Sequence, residues 1–405
     1  MNMRTMNPFP RIPGQRLLHS PGPTRLPDEV LHAMSRQPMD LADTRLDAII
    51  DDCEAGLKQL LGTREADVLM YIANGHGLWE AVTANLLGPG RVALVPGTGH
   101  FSESWAIQTE AVGGRVVRTP WTEGQPIDAA ALEQALRDDR AREIVAVFAV
   151  HTDTASGVTS DLRALRAAID AAEHPALFVV DVVASLGVVP FDMDALRADV
   201  VVGASQKGLM LPPGLGFVAI NQRARASADA NPAPRFYWDW ARRRDALSYR
   251  KFCGTPPMNL LYGLQAALRL LFAEGLPAVF ARHARLAGAV QAAVMGWREG
   301  GVLDFFCRVP ERRSHSVTAV AVQPGIDPEA LRRVARERFD VALSGGLGPL
   351  AGRVFRIGHM GDVNAAMVLG ALAGVEAALR VQGVPIGSGG VQRAIEFLAQ
   401  ADSGL

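Results

Sequence analysis

Short runs of β-branched and aliphatic residues recur through the first part of the chain: Val68 to Ile72, Val92 to Val95, Val116 to Val117, Ile144 to Val150, Leu177 to Val180, Val200 to Val202 and Leu215 to Ile220. Between most of them lie amphipathic or alanine-rich stretches such as Leu78 to Leu87, Asp128 to Leu136 and Asp161 to Ala172. Runs that are apolar throughout predict strands covered on both faces, and their alternation with helices predicts an α/β fold with a mostly parallel sheet sandwiched by helices. Ligands in such sheets sit beyond the carboxyl ends of the strands, so the polar residues that follow each run are the first candidates for chemistry.

After Ile220 the pattern changes to an Ala/Pro/Arg stretch (Ala224 to Pro234), an aromatic and basic segment (Phe236 to Lys251) and a long helical pattern from Pro257 to Ala273. A second unit follows, with a helix through Ala278 to Trp297, strand-like Val302 to Val309 and Val317 to Val322, a helix near Pro328 to Arg338, and Val354 to Ile357. A domain boundary is expected near residue 280. The length of 405 residues fits this, since about 150 residues per domain predicts two or three domains, or one large unit with a smaller companion.

Hydrophobic residues at 49% and charged residues at 20% exclude a disordered, collagen-like or coiled-coil chain. Lys+Arg 41 against Asp+Glu 42 gives a net charge of −1, so no overall field favours nucleic acid or an anionic membrane, and a small-molecule partner is expected. The run Arg242-Arg243-Arg244 reads as a solvated or substrate-steering surface. Cys53, Cys253 and Cys307 form no CxxC pair, which argues against a disulfide framework or a cysteine-built zinc site. The dispersed histidines contain no HExxH, so no metal is expected. The polar N-terminus and the shortness of the longest apolar run, Ile144 to Val150, predict a cytoplasmic protein without a membrane span.

The sharpest local signal is Ser205-Gln206-Lys207-Gly208, directly after the buried-type strand Val200 to Val202. A lysine hemmed there by apolar residues and glycines is partly desolvated, which lowers its pKa and makes it a competent nucleophile; taken alone, a solvated loop lysine is the favoured reading, and the neighbouring motifs reverse it. Asp181, at the end of Leu177 to Val180, needs a cation or hydrogen-bond donors, and a protonated pyridine nitrogen is one such partner; a helix cap is the alternative. Asn74-Gly75-His76-Gly77 joins a strand to a helix in a turn where backbone amides could meet a phosphate, though without the GxGxxG spacing of a dinucleotide site. His151-Thr152-Asp153-Thr154-Ala155-Ser156-Gly157 suits hydrogen bonding to a ring substituent or a simple turn, and Phe101 and Trp105 suit stacking on a planar ring or core packing. Arg356, among apolar neighbours in Phe355 to Met360, wants a carboxylate, from a substrate or from the protein.

Taken together with Pro21-Gly22-Pro23-Thr24 and Gly254-Thr255-Pro256-Pro257, these segments resemble a fold-type I, class V pyridoxal-phosphate-dependent aminotransferase of the alanine-glyoxylate and serine-pyruvate group. The resemblance runs from about residue 18 to the C-terminus. It implies an N-terminal extension over residues 1–18, a large domain with a seven-stranded sheet over 19–280 and a small α+β domain over 281–405. It implies that Lys207 forms a Schiff base with pyridoxal 5′-phosphate and then carries the proton, while Asp181 holds the pyridine nitrogen. Gly75, His76 and Ser205, flanked by Gly77 and Gln206, would bind phosphate; Phe101 would stack on the ring, Thr154 would meet its hydroxyl and Arg356 would grip the substrate carboxylate. Thr255 matches a phosphate contact supplied across a homodimer, and the chain has Phe252 where some relatives have a phosphate-binding tyrosine. The implied activity is ping-pong transfer from a small L-amino acid such as alanine or serine to glyoxylate or pyruvate. Alternatives are a lyase resembling cysteine desulfurases, with Cys253 as sulfur acceptor, a pyridoxamine donor, or a binding protein that keeps the fold.

Overall fold

The computed structural model describes residues 12–88, 90–245 and 247–400. Strands follow one another as β1 (Leu17–His19), β2 (Asp67–Tyr71), β3 (Val92–Val95), β4 (Arg115–Arg118), β5 (Ile144–Val150), β6 (Thr152–Asp153), β7 (Val158–Thr159), β8 (Leu177–Asp181), β9 (Val200–Ala204) and β10 (Gly216–Ile220). The second part of the chain adds β11 (Leu303–Phe305), β12 (Val317–Val322), β13 (Val341–Gly345) and β14 (Val354–Gly358). The large sheet has seven strands in the order β2-β10-β9-β8-β5-β3-β4. Only β10 runs antiparallel to its neighbours β9 and β2.

The unbroken apolar runs have the physical reason the pattern implies, because the central strands feed two cores, while the edge strand β4 leaves Arg115, Val117 and Arg118 exposed. Along β8, Phe178 and Val180 join the core on one face while Leu177 and Val179 join the core on the other. Crossover helices cover both faces, and aspartates stop the chain fraying at their starts: Asp128 and Asp161 each accept two backbone N–H groups of the first turn. The parallel strands β3, β5, β8 and β9 therefore deliver their carboxyl ends to one edge of the sheet.

The second sheet has the order β1-β13-β14-β12-β11. Residues Leu17 and Leu18, read from sequence as the end of an N-terminal extension, pair instead in parallel with Val341 and Ala342 as the edge strand of this sheet. Three residues are too few to display a hydrophobic period, so the strand was invisible in the pattern. The helix Leu276–Trp297 passes from one core to the other: Val279 packs in the first and Leu286 in the second.

The basic run also departs from its reading as solvated surface. Arg243 is only 1% exposed, and its guanidinium donates to Tyr237 O at 2.7 Å, Met70 O at 3.1 Å and Lys251 O at 3.0 Å. It lies 3.7 Å from the Tyr71 ring centroid and 4.7 Å from that of Tyr237. Arg242 and Arg244 remain at the surface beside Asp239 and Asp229. Charge count alone does not reveal that one of three adjacent arginines points inward to main-chain carbonyls and aromatic faces.

Candidate active site

At the end of β9 the chain turns through Ser205-Gln206-Lys207. The Ser205 hydroxyl donates to Pro212 O at 2.6 Å and accepts Leu215 N at 3.4 Å, closing the loop across its base. Lys207 lies inside that loop: its carbonyl accepts Thr24 Oγ1 at 3.1 Å and Met210 N at 2.9 Å, and its ammonium donates to Pro21 O. Gly22 has φ +124°, and a Cβ there would sit 2.6 Å from Lys207 Cδ, Cε and Nζ, so the lysine chain occupies the space that any side chain at 22 would need. Burial pushes the Lys207 amine down to about 8, with the Arg356 charge adding to the effect. Near neutral pH a usable fraction of the amine is therefore unprotonated.

Asp181 ends β8. Its Oδ2 accepts Trp79 Nε1 at 2.7 Å and its Oδ1 accepts Val183 N at 2.7 Å. Burial nevertheless raises its pKa to about 6 in the protein alone. No arginine or lysine pairs with it among the described residues within salt-bridge distance. Asp153, fully buried, accepts Phe101 N and Ala155 N at 2.8 Å each and is likewise pushed up to about 6 by burial. It fixes the start of the helix His100–Ala111, where a Cβ on Gly99 would meet its carboxylate oxygen at 2.7 Å.

The helix Gly75–Leu86 begins at the end of β2 with Asn74 as its cap, the side chain accepting Gly77 N at 3.2 Å. The first amides of the helix, from Gly75 and His76, face the open end of the dipole, where an anion is favoured. Burial keeps the His76 imidazole below its ordinary pKa, and the ring packs 4.6 Å from the Trp79 ring. Trp79 stacks on Trp105 at 5.2 Å and 9°, and Trp105 on Phe148 at 4.7 Å and 17°.

These groups enclose a cavity of about 260 Å³ lined by Gly75, His76, Trp79, Phe101, Thr154, Asp181, Gln206 and Lys207, together with Gly22, Pro23, Asn74, Thr152, Val183 and Pro213. Arg356, on β14, stands one layer behind Thr154. Its Nε donates to Gly345 O at 2.6 Å and its Nη1 to Thr154 O at 2.9 Å. Neither bond is to a carboxylate, so the internal ion pair weighed from sequence is not what holds it; burial lowers its pKa to about 10. The guanidinium is held by two carbonyls, with its remaining N–H groups uncommitted to them.

Of the cofactor and substrate residues expected from sequence, Gly75, His76, Phe101, Thr154, Asp181, Gln206 and Lys207 share one cavity, whereas Gly77, Ser205, Thr255 and Arg356 do not line it. Gly77 is inside the helix, where a Cβ would meet the Trp238 ring at 3.1 Å. The Ser205 hydroxyl is spent on Pro212 O, so its expected phosphate role is not supported within this subunit. Thr255 is exposed. Cys253, weighed as a sulfur acceptor, ends the turn Ser248–Phe252 at φ +55° and is absent from the cavity lining. Phe252 is buried in the core beneath the sheet. Sequence reading missed Trp79, although its place four residues after Gly75 puts it one helical turn below the phosphate-type turn, on the same face.

Residues 16–355 match the family model described as Aminotransferase class-V. The chain belongs to the class V aminotransferases. It is 39% identical over 396 residues to the serine–glyoxylate aminotransferase of Methylorubrum extorquens, covering 96% of this chain and 98% of that one. It is also 39% identical over 389 residues to the L-aspartate–glyoxylate aminotransferase of Paracoccus denitrificans, covering 95% and 97%. Among solved structures, the pyridoxamine-pyruvate aminotransferase of Mesorhizobium loti superposes with a TM-score of 0.87 at 28% identity, covering 96% of this chain and 97% of that chain. The enzyme is thus a pyridoxal-phosphate-dependent transaminase of fold type I. The site fits that cofactor: it combines a buried carboxylate without a protein cation, an amine with a lowered pKa, a capped helix start, and a buried Gln206 Oε1 with no protein donor.

Proposed function

We propose that this enzyme moves the amino group of a small L-amino acid of the alanine or serine type to glyoxylate or pyruvate by a ping-pong route. The observation that carries the reading is the single cavity with the Lys207 amine and the Asp181 carboxylate in its lining and Arg356 behind Thr154. When bound, pyridoxal phosphate supplies a ring that delocalises the charge left as the α-proton departs. The protein supplies the rest. Asp181 would hold the ring nitrogen and the amides of Gly75 and His76 the phosphate, with Gln206 nearby, while Phe101 and Thr154 would hold the ring. Lys207 Nζ, lowered by burial, takes the α-proton and returns it. The unspent N–H groups of Arg356 orient the substrate carboxylate.

A homodimer in the cytoplasm, with Thr255 reaching the neighbouring subunit's phosphate, completes the proposal. The exposure of Thr255 on the single subunit supports it. The relatives named for glyoxylate support that acceptor, and the likeness to a pyridoxamine-pyruvate aminotransferase motivates pyridoxamine as the second donor to try.

The test adds L-alanine, L-serine, L-aspartate or pyridoxamine, one at a time and without keto acid, to holoenzyme and to Lys207→Ala. Conversion of the visible cofactor band by alanine or serine, reversed by glyoxylate or pyruvate and absent in Lys207→Ala, is the expected result. Conversion by pyridoxamine alone replaces the donor assignment, and no conversion by any donor refutes the reading.

A further inference from the structure

The structure assigns Trp79 as a positioning residue for Asp181: its indole N–H fixes the carboxylate that faces the cofactor ring. The assignment rests on the aminotransferase reading of the cavity. Both partners are buried, at 2% exposure for Trp79 and 5% for Asp181, and the Nε1 to Oδ2 distance is 2.7 Å. Val183 N holds Oδ1 at 2.7 Å, so each oxygen has one fixed protein donor and the carboxylate plane cannot rotate without losing one of them. The indole itself cannot swing, because it is sandwiched between the His76 ring and the Trp105–Phe148 stack.

The donor also bears on charge. Around Asp181, burial and the neighbouring Asp153 favour the neutral acid, whereas Trp79, Val183 N and Lys207 favour the carboxylate. Deleting the indole N–H moves this balance toward the protonated form, which carries no charge to pair with a pyridinium. A hydrogen bond to a buried charged group corresponds to roughly 10- to 100-fold in an equilibrium constant. That effect falls on cofactor binding before any turnover takes place.

The experiment titrates cofactor-stripped protein with pyridoxal 5′-phosphate, following absorbance and tryptophan fluorescence across a pH series. Trp79→Phe keeps a stacking ring without the donor, Trp79→His restores an N–H on a smaller ring, and Trp105→Phe disturbs the stack without touching Asp181. The expected result is a 10-fold or greater loss of affinity in Trp79→Phe, with the acid limb of binding moved to higher pH. Trp79→His should recover part of the loss and Trp105→Phe should keep the wild-type acid limb. An unchanged acid limb and affinity within twofold in Trp79→Phe overturns the inference while leaving the aminotransferase reading intact. An equal shift in Trp105→Phe also overturns it, because packing alone would then account for the effect. Failure of wild-type protein to bind the cofactor would instead strike the underlying reading.

Discussion

Replacing Arg243 by methionine isolates the work done by one buried guanidinium. The side chain joins the segment after β10 to the end of β2 through Tyr237 O, Lys251 O and Met70 O, and it is clasped by Tyr71 and Tyr237. A charged hydrogen bond contributes about 1.5–3 kcal/mol, and a desolvated cation on an aromatic face about 2 kcal/mol. Removing the cation also removes its own desolvation cost of several kcal/mol, so the net loss for Arg243→Met should be about 3–5 kcal/mol. Arg242→Met, from a side chain 52% exposed over Phe236, should change stability by less than about 0.5 kcal/mol. Urea unfolding of the cofactor-free protein, read by tryptophan fluorescence and by circular dichroism, compares the two under identical conditions. If the two variants unfold within about 1 kcal/mol of each other, the carbonyl and ring contacts of Arg243 contribute little and the structural argument for it fails.

Asp181→Asn should leave a cofactor band but lower turnover by about 100-fold or more, measured in single-turnover conversion of the band by the donor amino acid. Arg356→Lys should raise the donor KM about tenfold or more with a smaller effect on kcat, because an ammonium cannot bond Gly345 O and Thr154 O while presenting a planar pair of donors. Stability of the cofactor-free protein should depend on two opposed sets of buried groups. His151 and His283 titrate at about 4 and His359 at about 3 in the fold, against 6.5 unfolded, so their contribution is complete above about pH 6.5 and is lost as pH falls. Asp153 and Asp181, raised from 3.8 to about 6, act the other way and weaken the fold as pH rises between those values. Urea midpoints should therefore fall on acidification below pH 6.5, and His359→Gln should flatten the slope; a wild-type midpoint that rises on acidification would refute the assignment.

The central strands of the large sheet were legible because they bury both faces, which leaves uninterrupted apolar runs, and the chemistry was legible because it sits where those runs end. Lys207, Asp181 and the Asn74-Gly75-His76-Gly77 turn all lie at or just beyond the end of a strand, and β9, β8 and β2 bring them to one edge. What escaped depends on partners distant in sequence. Trp79 reads as one more apolar position on a helix until Asp181 is seen 2.7 Å away, and Arg243 reads as surface until the carbonyls of Met70 and Lys251 surround it. Ser205 shows the same dependence on distant partners: a hydroxyl beside the lysine suits phosphate, and in this structure it donates instead to Pro212 O, seven residues on. Local pattern locates a group at the site edge; it does not say which of its hydrogen bonds are already made.

The short strand β1 explains how the two sheets hold one site. It pairs with β13, and His19 Nδ1 lies 2.8 Å from Gly358 O, two residues beyond Arg356 on β14. The chain then passes Gly358 so closely that a Cβ there would stand 2.5 Å from the Ser20 carbonyl carbon and oxygen. Immediately afterwards Pro21 O receives the Lys207 ammonium and Thr24 Oγ1 donates to the Lys207 carbonyl. Residues 17–24 thus touch both the strand that carries the guanidinium and the loop that carries the amine. The separation of these two groups is then set by the packing of this segment, with glycine required at 22 and 358 because lysine carbon and backbone already fill the positions of their missing side chains.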